Sequence, residues 1–97
     1  MSHNPEIGDC MTMCEIKRLF LVDGKKEDRW TEVNISDIPG RPKARCSHCK
    51  GAVRLHFKKQ VHGTEDHCEH LVHQDSVYCR AGHYFKGEHR ESHAPVE

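Results

Sequence analysis

Long apolar runs are missing from this chain. The longest, Leu19-Phe20-Leu21-Val22, is far too short to cross a bilayer as a helix, which takes roughly 20 apolar residues. The start, Met1-Ser2-His3-Asn4-Pro5-Glu6, carries no basic region leading into an apolar one. A secretory leader is therefore not expected, and a cytoplasmic location is. Reaction signatures are also absent. There is no His-Glu-x-x-His, no nucleophile elbow, no phosphate-cradling loop and no obvious carboxylate pair. These gaps remove the usual metalloprotease, hydrolase and nucleotide-binding readings.

Core-forming residues are scarce. With 35% hydrophobic and 31% charged residues over 97 positions, the chain is one domain's worth with a modest apolar core. Domains of that kind need a disulfide, a metal or a partner chain to hold them. Six cysteines and ten histidines indicate which. A reducing compartment disfavours disulfides, and there a Cys-x-x-Cys reads as metal or redox chemistry. A redox role for Cys46-Ser47-His48-Cys49 calls for a βαβ pattern, and the chain reads as hairpins instead. Metal is the expected stabiliser.

The net charge is zero but unevenly spread. Residues 38–64 hold seven Lys/Arg and no acid, while acids outnumber bases on both sides. The middle third is a basic block between acidic flanks.

Taken in order, residues 1–12 have no period and are expected to be flexible, with Cys10 and Cys14 as free thiols. Cys14 to Val22 ends in β-favouring side chains and reads as a strand. Asp23-Gly24, inside a polar stretch that runs to Asp28, signals a hairpin turn. Trp30 to Ile35 is the return strand, with Trp30 expected as a core anchor beside Phe20 and Leu21. The hairpin unit spans 14–38. Pro39-Gly40-Arg41-Pro42 is a sharp connection. Ala52 to Lys58 alternates, with Val53, Leu55 and Phe57 on one face and Arg54, His56 and Lys58 on the other. His70-Leu71-Val72-His73 suits a short strand or the first turn of a helix. Residues 87–97 have no apolar face and are expected to be flexible. The fold class implied is a small, mostly-β, zinc-stabilised single domain over 1–97. It combines an N-terminal β-hairpin with a knuckle- or ribbon-like zinc core over 45–84, and it has little helix.

That core carries the strongest signal. Cys46 and Cys49 can grip one zinc ion from a single tight turn, and Gly51 lets the chain leave in a conformation other residues dislike. Cys79 is the natural third ligand, as the only later cysteine outside the His67-Cys68-Glu69-His70 cluster. The fourth place lies open between His70, His67 and His83. His67 and His70 are three apart, so on a strand only one of them can face the ion. A bordering histidine is expected to hydrogen-bond a ligand sulfur or to orient the ligand histidine.

Cys-x-x-Cys, a basic strand, then His-x-x-His resembles the zinc motif of CoiA-type competence proteins. It is also similar to small bacterial proteins with a His-x-Glu-His followed by a cysteine. The resemblance covers roughly residues 45–80 and departs at Cys68, where an aromatic would stand. It implies Cys46, Cys49, His70 and Cys79 as the ligands of one Zn2+, with His67 and His83 in reserve. Four protein ligands with several thiolates make a structural site.

Three roles follow from these residues. One is nucleic-acid binding through a basic strand face, with Arg54, Lys58 and Lys50 contacting phosphates. The alternative is a protein-interaction or assembly module, including a homodimer, with the hairpin offering a sheet edge. The most remote is a nuclease-like or other metal-dependent hydrolase. No membrane partner is expected.

Overall fold

The computed structural model describes residues 9–57 and 66–97. Strand β1 (Met13–Val22) and strand β2 (Lys25–Asn34) form a long antiparallel hairpin, in register from Met13 opposite Asn34 to Val22 opposite Lys25. Asp23 and Gly24 join them with φ of 50° and 78°, the left-handed pair of a type I′ turn, whose twist matches that of the strands. A turn so compact lets pairing run to the tip. The polar residues Lys25 to Asp28 are therefore strand rather than loop. Their polarity reflects exposure on both faces, because the hairpin projects beyond the core.

The return strand ends where Asn34 Oδ1 accepts from the Ser36 amide at 2.9 Å, capping a 3₁₀ turn over Ile35–Asp37. Ile35 is fully buried there. Strand β3 (Ala44–Arg45) pairs with β1, giving a sheet of order β2-β1-β3. A second sheet pairs β4 (Val53–His56) with β5 (His67–His70), Leu55 opposite Cys68. Met11 is stitched to β5 by amide bonds to and from Cys68 at 3.1 and 2.7 Å. The segment entering β1 thus ties one sheet to the other. After β5 comes one short helix, α1 (His73–Val77). The protein is mostly β with little helix, as expected. No helix among the described residues is long and apolar enough to cross a membrane.

The core forms where the sheets meet. Cys14, Ile16, Val33, Ile35, Ile38, Ala44 and Leu55 are buried with Met11 and the inner thiols, and Val53 and Phe57 pack against them. The alternation along β4 holds over 53–57; Lys58 lies outside the described residues. Trp30 departs from expectation. It stands opposite Lys17, on the face away from Ile16. There it is half-buried under the Arg45 guanidinium, 4.1 Å from the ring centre. Leu21 is 74% exposed, so no core exists at the tip for the indole to anchor.

Two glycines are required by close approach. A Cβ on Gly51 would strike the Asp75 carboxylate, and one on Gly82 would lie 2.7 Å from Ser76 Cα. The left-handed residue of the first thiol turn is Lys50, at φ 66°. Gly51 is needed for space rather than for its dihedral freedom.

Both ends of the described chain pack on this core. Asp9 is 1% exposed. The Ser92 and Val96 amides donate to the Cys49 and Lys50 carbonyls, each at 2.8 Å. From these burials, Ile35→Ala should cost about 2–5 kcal/mol. Leu21→Ala should change stability by less than about 0.5 kcal/mol. Thermal and denaturant unfolding of the two variants check the contrast.

Candidate metal centre

Three segments deliver four ligand atoms to a common point. The turn after β3 supplies Cys46 and Cys49, the last residue of β5 supplies His70, and the turn after α1 supplies Cys79. Their ligand atoms all lie within 4.8 Å of one another, and all four residues are buried. The Cys46 and Cys79 sulfurs are 3.7 Å apart. The group can hold a metal ion.

Each thiol turn is built alike. The His48 amide donates to Cys46 Sγ at 3.4 Å, and the Ala81 amide donates to Cys79 Sγ at 3.4 Å. The Cys46 amide donates to the Gly51 carbonyl at 2.8 Å, closing the first turn. In each turn a backbone amide two residues on faces the sulfur. The Met11 thioether lies against Cys46 Sγ at 3.9 Å.

His70 shows what the site is for. Its Nδ1 bonds Asp9 Oδ2 at 2.6 Å, so Nδ1 carries a proton and Nε2 is the nitrogen turned toward the sulfurs. Nε2 is the buried side-chain nitrogen or oxygen without a hydrogen-bond partner among the described residues. Buried polar atoms are otherwise paired. An Nε2 aimed among three sulfurs has the geometry of a metal ligand, with the carboxylate behind it fixing tautomer and orientation.

Asp9 is the hub of this arrangement. Its carboxylate also accepts from the His70 amide at 2.8 Å, the Ser76 hydroxyl at 2.8 Å and the His83 amide at 2.6 Å. Burial disfavours its charge. The bonds from the His70 ring, the His83 and His70 amides and Ser76 outweigh that and hold its pKa at about 2. Burial likewise opposes charge on His70, but Asp9 and the neighbouring Cys46 and Cys79 sulfurs push its pKa in the metal-free chain up to about 11. Cys46 is driven well below the usual thiol range by bonds from Cys49 and Cys79, against burial, with His70 assisting. Cys49 is pushed up by its bonds with Cys46 and Cys79 and by burial. The metal-free cluster thus shares protons that a cation would displace.

The remaining candidates fall outside the cluster. On β5, His67 faces away from His70, as strand alternation requires, and stacks on His56 at 4.8 Å with planes 10° apart. Parallel rings direct their lone pairs along parallel planes, so the pair does not converge on one ion. His83 contributes its backbone amide to Asp9, while its exposed ring meets Tyr84 edge-on. The orienting group expected to be a histidine is the Asp9 carboxylate. Cys14 and Cys68 are both fully buried. A hydrogen bond from Cys68 lowers Cys14, and the same bond with burial raises Cys68. Cys10 is exposed.

Three residues of the basic block, Arg45, Lys50 and Arg54, are answered by acids from elsewhere. Glu15 Oε1 takes Arg45 Nε at 2.7 Å and lies 3.6 Å from Lys50 Nζ. Glu69 Oε1 lies 3.9 Å from Arg54 and 3.1 Å from His56 Nε2.

A small β domain with a buried Cys3His cluster is the class that fold and site define. Against known sequences, a family model of unknown function matches residues 6–97, and the chain belongs to that family. No curated protein and no solved structure matches the chain.

Asp9→Ala removes the support of His70, and metal affinity should fall by about 10–100-fold, read by competition with a chelator. The carboxyl of Asp9 titrates at about 2, below its ordinary 3.8. Its support is therefore complete above 3.8 and lost only as the pH falls toward 2. Metal loss on acidification of the unsubstituted chain should occur well above that range, as the thiolates protonate. In Asp9→Ala its midpoint should move to higher pH.

Proposed function

We propose that this chain is a structural-zinc domain serving as a binding module rather than an enzyme. The observation that carries the reading is the unpartnered Nε2 of His70, buried among Cys46, Cys49 and Cys79. Zinc is the ion that suits three thiolates and an imidazole. A tetrahedron with zinc–sulfur bonds of about 2.3 Å has an edge of about 3.8 Å, against 3.7 Å between Cys46 and Cys79. Four protein ligands leave no open position for a water or substrate, so the ion serves the fold. Its binding adds on the order of 10 kcal/mol to folding, an amount the small apolar core needs.

Protein contact is the binding role with most support. The hairpin projects beyond the core and presents Leu19 and Leu21, 61% and 74% exposed, as an apolar tip. A nucleic-acid role through Arg54, Lys50 and Lys58 has less, because Glu69 and Glu15 stand beside the first two. A nuclease-like reaction has no open metal position to draw on, and the carboxylate nearest the cluster, Asp9, is held by the His70 ring and amide, Ser76 and the His83 amide.

Metal analysis of the purified chain tests the zinc. One zinc per chain is expected, with Cys46→Ser or Cys79→Ser losing it and unfolding. A metal-free chain that melts cooperatively would refute the reading. For the binding role, Leu19→Asp with Leu21→Asp should abolish association with protein partners while zinc content and melting stay unchanged. Tight, salt-dependent binding of duplex or single-stranded nucleic acid, lost in Arg54→Ala, would favour the second role instead.

A further inference from the structure

Residues 88–97 cross both thiol turns. His89 sits between them. The Arg80 amide, next to Cys79, donates to His89 Nδ1 at 3.1 Å, and His89 Nε2 lies 3.3 Å from the carbonyl oxygen of His48, next to Cys49. With Nδ1 accepting, Nε2 carries the proton and donates to that carbonyl. One neutral ring bonds the two turns together. Further on, the Ser92 amide donates to the Cys49 carbonyl and the Val96 amide to the Lys50 carbonyl, each at 2.8 Å. The Ser92 hydroxyl donates to Asp75 Oδ2 on α1 at 2.9 Å. The Arg45 guanidinium, just before Cys46, donates to the Val96 carbonyl at 2.8 Å. The segment is therefore bonded on both sides of Cys49 and beside Cys79, yet these bonds involve none of the four ligand atoms.

We propose that residues 88–97 are a clamp that governs how fast the metal leaves. The proposal rests on the reading that Cys46, Cys49, His70 and Cys79 hold a zinc ion. A four-coordinate ion with its ligands buried is released when one thiolate swings out and a competing ligand takes its place. Such a swing requires a thiol turn to open locally. The first turn cannot open without breaking the bonds from His89, Ser92 and Val96, nor the second without breaking that from Arg80 to His89. The clamp leaves the coordination itself alone and sets the barrier to losing it. Its bonds lie near the surface, on half-buried residues, so it suits a device that yields when a partner or chelator competes for the tail.

The test uses the full chain loaded with zinc and mixed with an excess of a chromophoric zinc chelator. Zinc content and circular dichroism are recorded first. His89→Ala and Val96→Pro should each release zinc about threefold to tenfold faster, the effect of one or two lost hydrogen bonds. His93→Ala, an exposed neighbour, should leave the rate unchanged. Rates for His89→Ala and Val96→Pro equal to that of the unsubstituted chain overturn the clamp. Should either variant fail to load, hydrogen exchange in the unsubstituted zinc-loaded chain decides. Slow, concerted exchange of the Arg80, Ser92 and Val96 amides supports the clamp, and exchange as fast as in exposed segments overturns it. An unsubstituted chain without zinc overturns both readings; one zinc per chain with unaltered release in the variants overturns the clamp alone.

Discussion

Three sulfurs and one imidazole nitrogen meet inside this protein, and among the described residues the nitrogen has no hydrogen-bond partner. Buried polar atoms left unpaired are costly, and thiols this close cannot ionise together without a compensating cation. A divalent ion would resolve both problems at once. The rest of the architecture brings these four side chains together. The turn after β3, the end of β5 and the turn after α1 are far apart along the chain, and each would be a loose connection without a common point to hold.

Asp9 extends that point into the scaffold. One carboxylate bonds the ring and amide of His70, the hydroxyl of Ser76 and the amide of His83. It thereby joins the chain's early segment, β5, α1 and the loop after Cys79. Beside it, Met11 pairs with Cys68 and lies on Cys46. The same short stretch orients a ligand, completes a sheet and leads into the hairpin. A site supported in this way is rigid because each supporting bond also belongs to the fold.

Charge shows how folding rewrites a linear pattern. The stretch 38–64 is basic in sequence, and its basic block suggests a phosphate-binding face. In space, Glu15 answers Arg45 and Lys50, and Glu69 answers Arg54. What the hairpin presents instead is apolar. Leu19 and Leu21 are the most exposed large apolar side chains among the described residues, on a ribbon whose facing strand from Lys25 to Arg29 is charged.

Local chemistry explains what was legible in the residues alone. Cys-x-x-Cys announces a thiol turn because the spacing itself sets the geometry. Asp23-Gly24 announces a hairpin because few residues tolerate positive φ. Val53 to Phe57 reveals its buried face through strict alternation. The choice of His70 over His67 was constrained by the same alternation, since a strand shows only one of them to any ion. Long-range placement was not legible. Asp9 sits in a stretch without period, and no local preference links it to His70, 61 positions away. Trp30 was misread because an indole marks a core only where a core exists, and the hairpin runs past it. The packing of residues 88–97 over the thiol turns depends on backbone amides and one imidazole, which carry no hydrophobic period. The sequence by itself determined the thiol turn, the hairpin and the strand faces, since each is set by neighbours a few residues apart. Only the tertiary structure decided which carboxylate stands behind the histidine and where the tail lies, because those depend on contacts between segments that sequence spacing does not encode.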